Sequence, residues 1–453
     1  LEDCHIDGSE RAARCGVLPR PEDPARVDGP QLAIRVVVIP ASDVPRRNPL
    51  YLLAGGPGQA ASEAFGPLLK RFAQLGRERD IVLVDQRGTG ASSPLDCEAP
   101  PDGPLAERLR EDNDLPLLRS CLAGYTVDPR NFITAIAMED LDAVRESLGH
   151  ATIDLLGGSY GTRAALVYAR AHPERVGRIV IDGVAPVDMA MPSSFARDAD
   201  DALAAVFRDC AAQPGCAAAF PDAEARFHRW HDDLRARPRK IDVEDPRTYE
   251  HVDIELTADM VALVLRNVLY VPALTAMLPL SLQRAGYGDM DSLIAQALVL
   301  GDAMGDSMST GMFLSIVCAE DVPFIDEAML TERSADTTAG TKLVELFRES
   351  CSVWPRAELP AGYREPVQLD TPTLVLSGAL DPVTPPRWGE HVLNGLSAGR
   401  HVIVPGAGHG TLTQGCVPEL IQSFLDGADA LEVGCVDAVQ RPPFFLDFAG
   451  PPP

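Results

Sequence analysis

Short runs of consecutive apolar and β-branched residues occur along the first 190 residues and again near the C-terminus. Most of them end at Gly, Pro or Asp, and they predict strands over 32–39, 50–54, 81–84, 152–156, 178–181, 373–376 and 401–404. A helical pattern covers 160–171 between two of these runs. Continuously apolar strands that alternate with helices indicate a parallel sheet covered on both faces. The polar, Pro-rich residues 1–30 predict irregular structure.

The pattern changes to helical periodicity from about residue 193 to residue 366. Candidate helices in this stretch cover 198–210, 223–237, 257–271 and 290–301. The sequence therefore predicts an α/β protein with a mostly parallel central sheet and a helical cap inserted before the last strands. We expect the first part of the core over 1–190, the cap over 191–365 and the second part of the core over 366–453.

Composition narrows the function classes. The 453 residues include 40 Lys and Arg against 66 Asp and Glu, which gives a net charge of −26 and argues against nucleic-acid binding. A hydrophobic share of 46% and a charged share of 23% are typical of a globular protein. No apolar run approaches the ~18 residues that a membrane-spanning helix needs. We expect a monomer that binds neither nucleic acid nor a metal.

Ten cysteines are spread along the chain, with no CxxC pair among them. An even number of cysteines in a chain of this kind favours disulfides and an oxidising compartment, so we expect a secreted or periplasmic protein. A first residue Leu1 fits a mature form whose signal peptide has been removed. The connectivity is open, and the simplest pairing joins neighbours in sequence, namely 4–15, 97–121, 210–216, 318–351 and 416–435.

Residues 157–161 read Gly-Gly-Ser-Tyr-Gly, which matches the pattern G-x-S-x-G. The predicted strand 152–156 leads in and the predicted helix 160–171 leads out, which is the setting that a nucleophilic serine requires. A sharp turn there holds the hydroxyl above the sheet, and flanking glycines avoid clashes. Ser159 is therefore the predicted nucleophile; the alternative is a Gly-rich turn with an ordinary capping serine.

A serine nucleophile needs a base and an acid that orients it. Asp381 follows the strand 373–376 and His409 follows the strand 401–404, in the chain order Ser, Asp, His of the hydrolases. The alternatives are a turn-forming Asp and a structural loop His. His228 and His231 lie three residues apart on a predicted helix, where a solvated face is the simpler interpretation than a metal site.

An oxyanion hole needs two backbone N–H groups directed at one point. Tyr160, the residue after the nucleophile, should supply one of them, and the loop Gly55-Gly56-Pro57-Gly58 after an early strand should supply the other. Gly56 is the candidate in that loop, and a plain turn is the alternative.

These motifs, together with Asp85-Gln86-Arg87-Gly88 and Asp381-Pro382-Val383-Thr384-Pro385, resemble the α/β-hydrolase serine aminopeptidases, the family of proline iminopeptidases and secreted tripeptidyl aminopeptidases. The resemblance implies the α/β-hydrolase fold, no cofactor and peptide substrates with a free N-terminus. Proline iminopeptidases usually carry His before the two glycines, where this chain has Ala54. Related proteins include carboxylesterases.

Family members hold the substrate amine with acids of the cap, and the segment 315–323 resembles that element. It contains Glu320 and Asp321, within a stretch 285–331 that has eight acids and no Lys or Arg. A desolvated carboxylate binds a positive chain end strongly. Glu320 and Asp321 are therefore the predicted amine site; the alternative is a solvated acidic face.

The favoured function is a secreted serine aminopeptidase that releases N-terminal residues, among them proline or short peptides, through an acyl-enzyme. A carboxylesterase that acts on neutral esters is the first alternative, and a requirement for a free amine separates the two. A non-catalytic binding protein on a hydrolase scaffold is the second, and labelling of Ser159 by a fluorophosphonate would exclude it.

Overall fold

A large mixed sheet forms the centre of the molecule. The computed structural model describes residues 1–97, 104–428 and 430–451, and within 299–306 the backbone alone. The described residues form eleven strands: β1 (Glu2–Cys4), β2 (Ala13–Pro21), β3 (Gln31–Ile39), β4 (Leu50–Leu53), β5 (Ile81–Val84), β6 (Ile153–Gly158), β7 (Val176–Asp182), β8 (Arg239–Glu244), β9 (His251–Leu256), β10 (Thr373–Gly378) and β11 (Gly399–Val404).

Seventeen α-helices lie in the same described ranges. They are α1 (Ala61–Phe65), α2 (Leu105–Arg108), α3 (Leu115–Gly124), α4 (Thr134–Ser147), α5 (Tyr160–Ala171), α6 (Phe195–Ala212), α7 (Pro214–Ala219), α8 (Ala223–Ala236), α9 (Ala258–Leu269), α10 (Pro272–Thr275), α11 (Leu278–Gly286), α12 (Asp291–Asp306), α13 (Thr310–Glu320), α14 (Glu327–Ser334), α15 (Lys342–Val353), α16 (Pro386–Leu393) and α17 (Val417–Leu425). None of these helices is long and apolar enough to cross a bilayer.

Nine strands build the central sheet in the order β1-β2-β3-β5-β4-β6-β7-β10-β11. The six strands from β5 to β11 in this order run parallel, and β1 to β3 add an antiparallel edge. Alternate residues of one strand enter different cores: Tyr51 packs with α4 and α5, and Leu52 packs with α1 and α17. The sheet is therefore covered on both faces, which confirms the prediction of an α/β-hydrolase fold.

The parallel strands bring distant parts of the chain together at one edge. Gly158 at the end of β6 is in register with Asp182 at the end of β7, and Asp182 is in register with Leu376 of β10. The loops that follow the carboxyl ends of neighbouring parallel strands open into one crevice. Functional side chains on these loops therefore meet, although they are more than 200 residues apart in sequence.

The chain between β7 and β10 contains helices α6 to α15 and has an apolar core of its own, built by α6, α8, α9, α11 and α12. The antiparallel hairpin β8-β9 within it was not predicted. Its strands are short and their side chains are mostly exposed, so they lack the apolar run that marks the core strands. The domain boundaries proposed from the sequence stay predictions.

The expectation of irregular structure over residues 1–30 is wrong for β1 and β2, which pair with each other at the edge of the sheet. Their side chains are largely exposed, so no alternation of apolar residues announces them. A disulfide between Cys4 and Cys15 joins the two strands.

The pairing of cysteines with their sequence neighbours is confirmed. Bridges join Cys4 to Cys15, Cys97 to Cys121, Cys210 to Cys216, Cys318 to Cys351 and Cys416 to Cys435. All ten cysteines lie in the described ranges, and none of them is free.

Candidate active site

Ser159 occupies the sharp turn between β6 and α5 that the sequence predicts. Its backbone adopts φ 54° and ψ −125°, a conformation that residues other than glycine rarely take. A Cβ on Gly161 would lie 2.1 Å from the carbonyl oxygen of Leu53, so the turn can approach β4 only with glycine there. The Ser159 N–H donates to the carbonyl of Asp182 at 2.8 Å. The serine is thereby held at the carboxyl edge of the sheet.

Asp381 and His409 are directly bonded. The Nδ1–H of His409 donates to Oδ2 of Asp381 at 2.9 Å, and both side chains are largely buried. Asp381 is fixed in turn by the N–H groups of Val383 and Thr384, at 2.9 and 2.8 Å. The Thr384 hydroxyl donates to Asp381 at 2.8 Å and lies 3.1 Å from His409 Nδ1. These bonds fix the ring and direct Nε2 away from Asp381.

The loop of Ser159 and the imidazole of His409 are neighbours. A Cβ placed on Gly183 would lie 3.4 Å from Cε1 of His409, and Gly183 directly follows the residue that binds the Ser159 N–H. Tyr270 packs edge-on against the imidazole with ring centroids 5.1 Å apart, and its carbonyl accepts the His409 N–H at 3.3 Å. The three predicted triad residues thus lie on neighbouring loops at the same edge of the sheet.

Asp381 and His409 stabilise each other's charged form. Burial lowers the pKa of His409, but attraction by Asp381 and the hydrogen bond to it outweigh burial and raise the pKa above its usual value. Burial raises the pKa of Asp381, but the charge and hydrogen bond of His409 and two backbone N–H groups outweigh it and lower the pKa. Asp381 is therefore ionised at neutral pH and can stabilise an imidazolium.

A second acid, Asp182, lies under the histidine loop and was not identified from the sequence. Its carboxylate accepts the Thr411 N–H at 2.6 Å, the Thr411 hydroxyl at 2.9 Å and the Leu412 N–H at 3.1 Å. Burial raises its pKa to about 6. Asp182 thus anchors the chain two residues after His409. The only sequence signal was its place at the end of a core strand.

Both predicted oxyanion segments lie beside Ser159. A Cβ on Gly55 would lie 3.1 Å from Cβ of Ser159, so the glycine loop runs directly against the nucleophile. Gly56 has φ 103°, in the region that favours glycine. Tyr160 begins α5, and its N–H is among the first four of a helix, which have no acceptor inside that helix. Both segments adjoin the nucleophile, and the oxyanion roles of Gly56 and Tyr160 stay predictions.

Glu320 and Asp321, the predicted amine site, lie inside the protein with all their partners supplied by it. Both side chains are fully buried and contact the Arg163 guanidinium, at 3.3 Å for Glu320 and 2.8 Å for Asp321. Glu320 also accepts hydrogen bonds from Thr134 and from the Tyr363 hydroxyl. No carboxylate face is left for a ligand, so this arrangement gives the amine role no support. Among the other acids of 285–331, the side chains of Asp302 and Asp306 lie outside the described residues.

Another acid, Asp198 on α6, has a different environment. Its side chain is fully buried, and the Arg387 guanidinium contacts Oδ1. Among the described residues, Oδ2 has no well-formed hydrogen bond, and neither has the indole N–H of Trp388. Burial raises the pKa of Asp198 to about 7, Arg387 and the Ser194 hydroxyl oppose this, and the nearby charge of Asp381 adds to it. No sequence motif marks this position.

The two histidines weighed as metal ligands lie in different surroundings. His231 is buried, donates from Nε2 to the Ala258 carbonyl at 3.2 Å and packs on Phe227, while His228 is exposed. Across the described residues, no group of three or more His, Cys, Asp or Glu is arranged to hold a metal.

Parts of this chain are similar to known families and proteins. The family described as "alpha/beta hydrolase fold" matches residues 48–215, and the family described as "TAP-like protein" matches residues 336–430. Serine protease Hip1 of Mycobacterium tuberculosis is 28% identical over 92% of this chain and 85% of its own length.

Two further relatives match shorter stretches. Tripeptidyl aminopeptidase of Streptomyces lividans is 27% identical over 40% of this chain and 37% of its own length. Proline iminopeptidase of Neisseria gonorrhoeae is 33% identical over 30% of this chain and 32% of its own length. Together with the sheet order and the serine turn, these matches show that the chain has the α/β-hydrolase fold and resembles the serine aminopeptidases of that fold.

Proposed function

We propose that the protein is an exported serine aminopeptidase that cleaves peptides near a free N-terminus through an acyl-enzyme. The observation that carries the proposal is the hydrogen-bonded pair of Asp381 and His409 in a loop next to the positive-φ turn of Ser159. The names of the peptidase relatives support a peptide rather than another acyl substrate. The five disulfides support export, and we propose a monomer.

In this mechanism the Ser159 Oγ attacks the scissile carbonyl carbon while Nε2 of His409 takes the hydroxyl proton. The carbonyl oxygen becomes an oxyanion that the N–H groups of Gly56 and Tyr160 bind. The tetrahedral intermediate collapses, His409 gives its proton to the leaving amine, and an ester to Ser159 remains. Water, deprotonated by His409, then releases the N-terminal fragment and restores Ser159.

Asp198 is the acid that we propose for binding the substrate ammonium, in place of Glu320 and Asp321. It is buried, lies close enough to Asp381 for the two charges to interact, and has Oδ1 paired with Arg387 while Oδ2 has no well-formed hydrogen bond among the described residues. An ammonium group would supply three donors to such a carboxylate. Arg387 is partly exposed and can turn towards solvent when a substrate cation binds.

The decisive experiment compares chromogenic aminoacyl and peptidyl amides with and without an N-terminal acetyl group. A free-amine preference in kcat/KM of at least about 30-fold would support the aminopeptidase, because a buried carboxylate that loses its partner is costly. Efficient cleavage of neutral esters and of blocked amides alike would indicate the carboxylesterase instead. If a fluorophosphonate fails to label Ser159, the proposal that the protein is a serine hydrolase is wrong, whatever its substrate.

A further inference from the structure

Helix α13 contacts both segments that supply the proposed oxyanion donors. Nine of its eleven residues are buried, so it lies inside the protein and not at the surface. At about 1.5 Å per residue it spans roughly 16 Å. A buried helix of this length is a rigid connection between the groups at its two ends.

The N-terminal end of α13 is attached to the glycine loop. The Ser309 N–H donates to the carbonyl of Gly58 at 2.9 Å, and Met308 forms an isolated antiparallel bridge with Gln59. The sulfur of Met308 lies 3.4 Å from the position that a Cβ on Gly56 would occupy. Movement of this helix end would therefore move the loop that carries the Gly56 N–H.

The C-terminal end of α13 is attached to the residue after the nucleophile. Glu320 accepts the Thr134 N–H at 2.8 Å and the Thr134 hydroxyl at 2.9 Å. Because the Thr134 hydroxyl gives its proton to Glu320, it accepts the proton of the Tyr160 hydroxyl, 2.6 Å away. Gln86 in turn donates to the Tyr160 oxygen at 3.0 Å. The chain of bonds runs in one direction and ends on a carboxylate, which strengthens each member.

The same helix end is joined to α5 by an ion pair. Arg163 lies one turn after Tyr160 and donates to both oxygens of Asp321, at 2.8 and 3.0 Å. Tyr160, Arg163 and Asp321 are all buried, with exposures of 0 to 1%. Glu320 and Asp321, which the sequence predicts as an amine site, thus hold α5, the helix that carries the Tyr160 N–H.

We infer that α13 sets the spacing of the oxyanion hole, and that Glu320 is a positioning residue which acts through Thr134 on Tyr160. The inference rests on the proposed roles of Gly56 and Tyr160. Two donors serve one oxyanion only when both are held at the right distance, and here they come from segments about 100 residues apart. One helix bound to both segments fixes that distance before the substrate arrives.

The test replaces single groups of this chain of bonds. Glu320→Gln and Thr134→Val should lower kcat about 10- to 100-fold with little change in KM, because the hole acts on the transition state. Phenylboronic acid, which forms a tetrahedral adduct with the serine, should lose affinity in parallel with kcat/KM. Thr134→Ser keeps the hydroxyl and should retain most of the activity, which makes it the matched control. Thr134→Val leaves the Arg163 ion pairs intact, so this variant still tests the role of the Thr134 hydrogen bond if Glu320→Gln fails to fold.

The outcomes separate this inference from the proposed function. A wild-type protein that is not labelled by a fluorophosphonate and hydrolyses neither amides nor esters overturns the proposed function, and the inference with it. An active wild type in which Thr134→Val leaves kcat and boronate affinity unchanged overturns the inference alone. So does an equal loss in Thr134→Ser and Thr134→Val, since that would reflect packing and not the hydrogen bond.

Discussion

Asp182 accepts two hydrogen bonds from Thr411, one from its N–H and one from its hydroxyl, and so holds the loop that carries His409. The same residue receives the Ser159 N–H on its backbone carbonyl. One strand end therefore fixes the base through its side chain and the nucleophile through its main chain.

We expect Asp182→Ala to lower both stability and kcat. The substitution leaves two buried N–H groups and a hydroxyl without an acceptor, and each unsatisfied group costs about 1–3 kcal/mol. Thermal unfolding and kinetics on a chromogenic substrate measure the two effects. The matched control is Thr411→Val, which loses only the hydroxyl bond and should have a smaller effect on both. Unchanged kcat in Asp182→Ala would show that the loop is held by other contacts.

Ser159→Ala should lower kcat by about 10⁴-fold or more while the fold stays intact, because the triad acts as a unit. His409→Ala should be similarly severe, and Asp381→Asn should be severe because the imidazole loses its acceptor at Nδ1. Circular dichroism and thermal unfolding check the fold. Retention of more than about a tenth of the turnover by Ser159→Ala would contradict the mechanism.

Asp198→Asn should reduce kcat/KM for free-amine peptides by at least about 30-fold and leave small neutral esters nearly unaffected. The same substitution should stabilise the protein at alkaline pH, although it lowers activity. The pKa of Asp198 in the folded protein is raised to about 7, above its value in the unfolded chain. Folding therefore takes up a proton, and the wild type loses stability as the pH rises towards 7.

Removing this acid should therefore raise the melting temperature at pH 8 relative to the wild type, and the gain should vanish below about pH 4. Arg387→Gln is the control that removes the cation and keeps the acid; it should lower the melting temperature at pH 8. Equal losses on peptides and esters in Asp198→Asn would show a structural role.

The pH dependence of kcat/KM should differ between substrate classes. His409 must be neutral to accept a proton, and its pKa lies above the usual value of about 6.5, so activity on any substrate should fall as the pH drops through a midpoint above 6.5. Free-amine peptides should lose activity again above about pH 8, where the α-amino group deprotonates. A neutral ester has no such group and should give a single rise to a plateau. A bell-shaped profile for the ester would show that a group of the protein, and not the substrate amine, causes the loss of activity at high pH.

The bridge between Cys318 and Cys351 closes a loop with a sequence separation of 33 residues and joins α13 to α15. Replacing both cysteines by Ser should destabilise the protein by about 3–4 kcal/mol in the chain-entropy model. Denaturant unfolding of the double variant against the wild type measures this. Mass spectrometry of the native protein under non-reducing conditions should find no alkylatable thiol. Ten accessible thiols would contradict the disulfides and the argument for export.

The core strands and the candidate triad residues could be predicted from the sequence because their signals are local. A buried parallel strand is a short apolar run, and the turn around Ser159 needs glycines that stand next to it in sequence. The exposed strands β1 and β2 carry no such run, and their pairing is a property of the sheet edge.

Electrostatic environments were the part that sequence could not supply. Glu320 and Asp321 looked like a free acidic site because no Lys or Arg stands near them in sequence, but Arg163 reaches them from a helix more than 150 residues away. Asp198 lies in no sequence motif, because its burial and its contact with Arg387 depend on packing against α16.

Each of the five disulfides joins a cysteine to the next cysteine along the chain, with separations of 6 to 33 residues. A chain that enters an oxidising compartment N-terminus first thus exposes its cysteines in the order in which they pair. Oxidation in order of appearance yields the native set, and no cysteine has to wait for a partner from another part of the fold. None of the bridges links the strands of the central sheet to the helices between β7 and β10, so apart from the two places where the chain passes between them these parts are held together by non-covalent contacts.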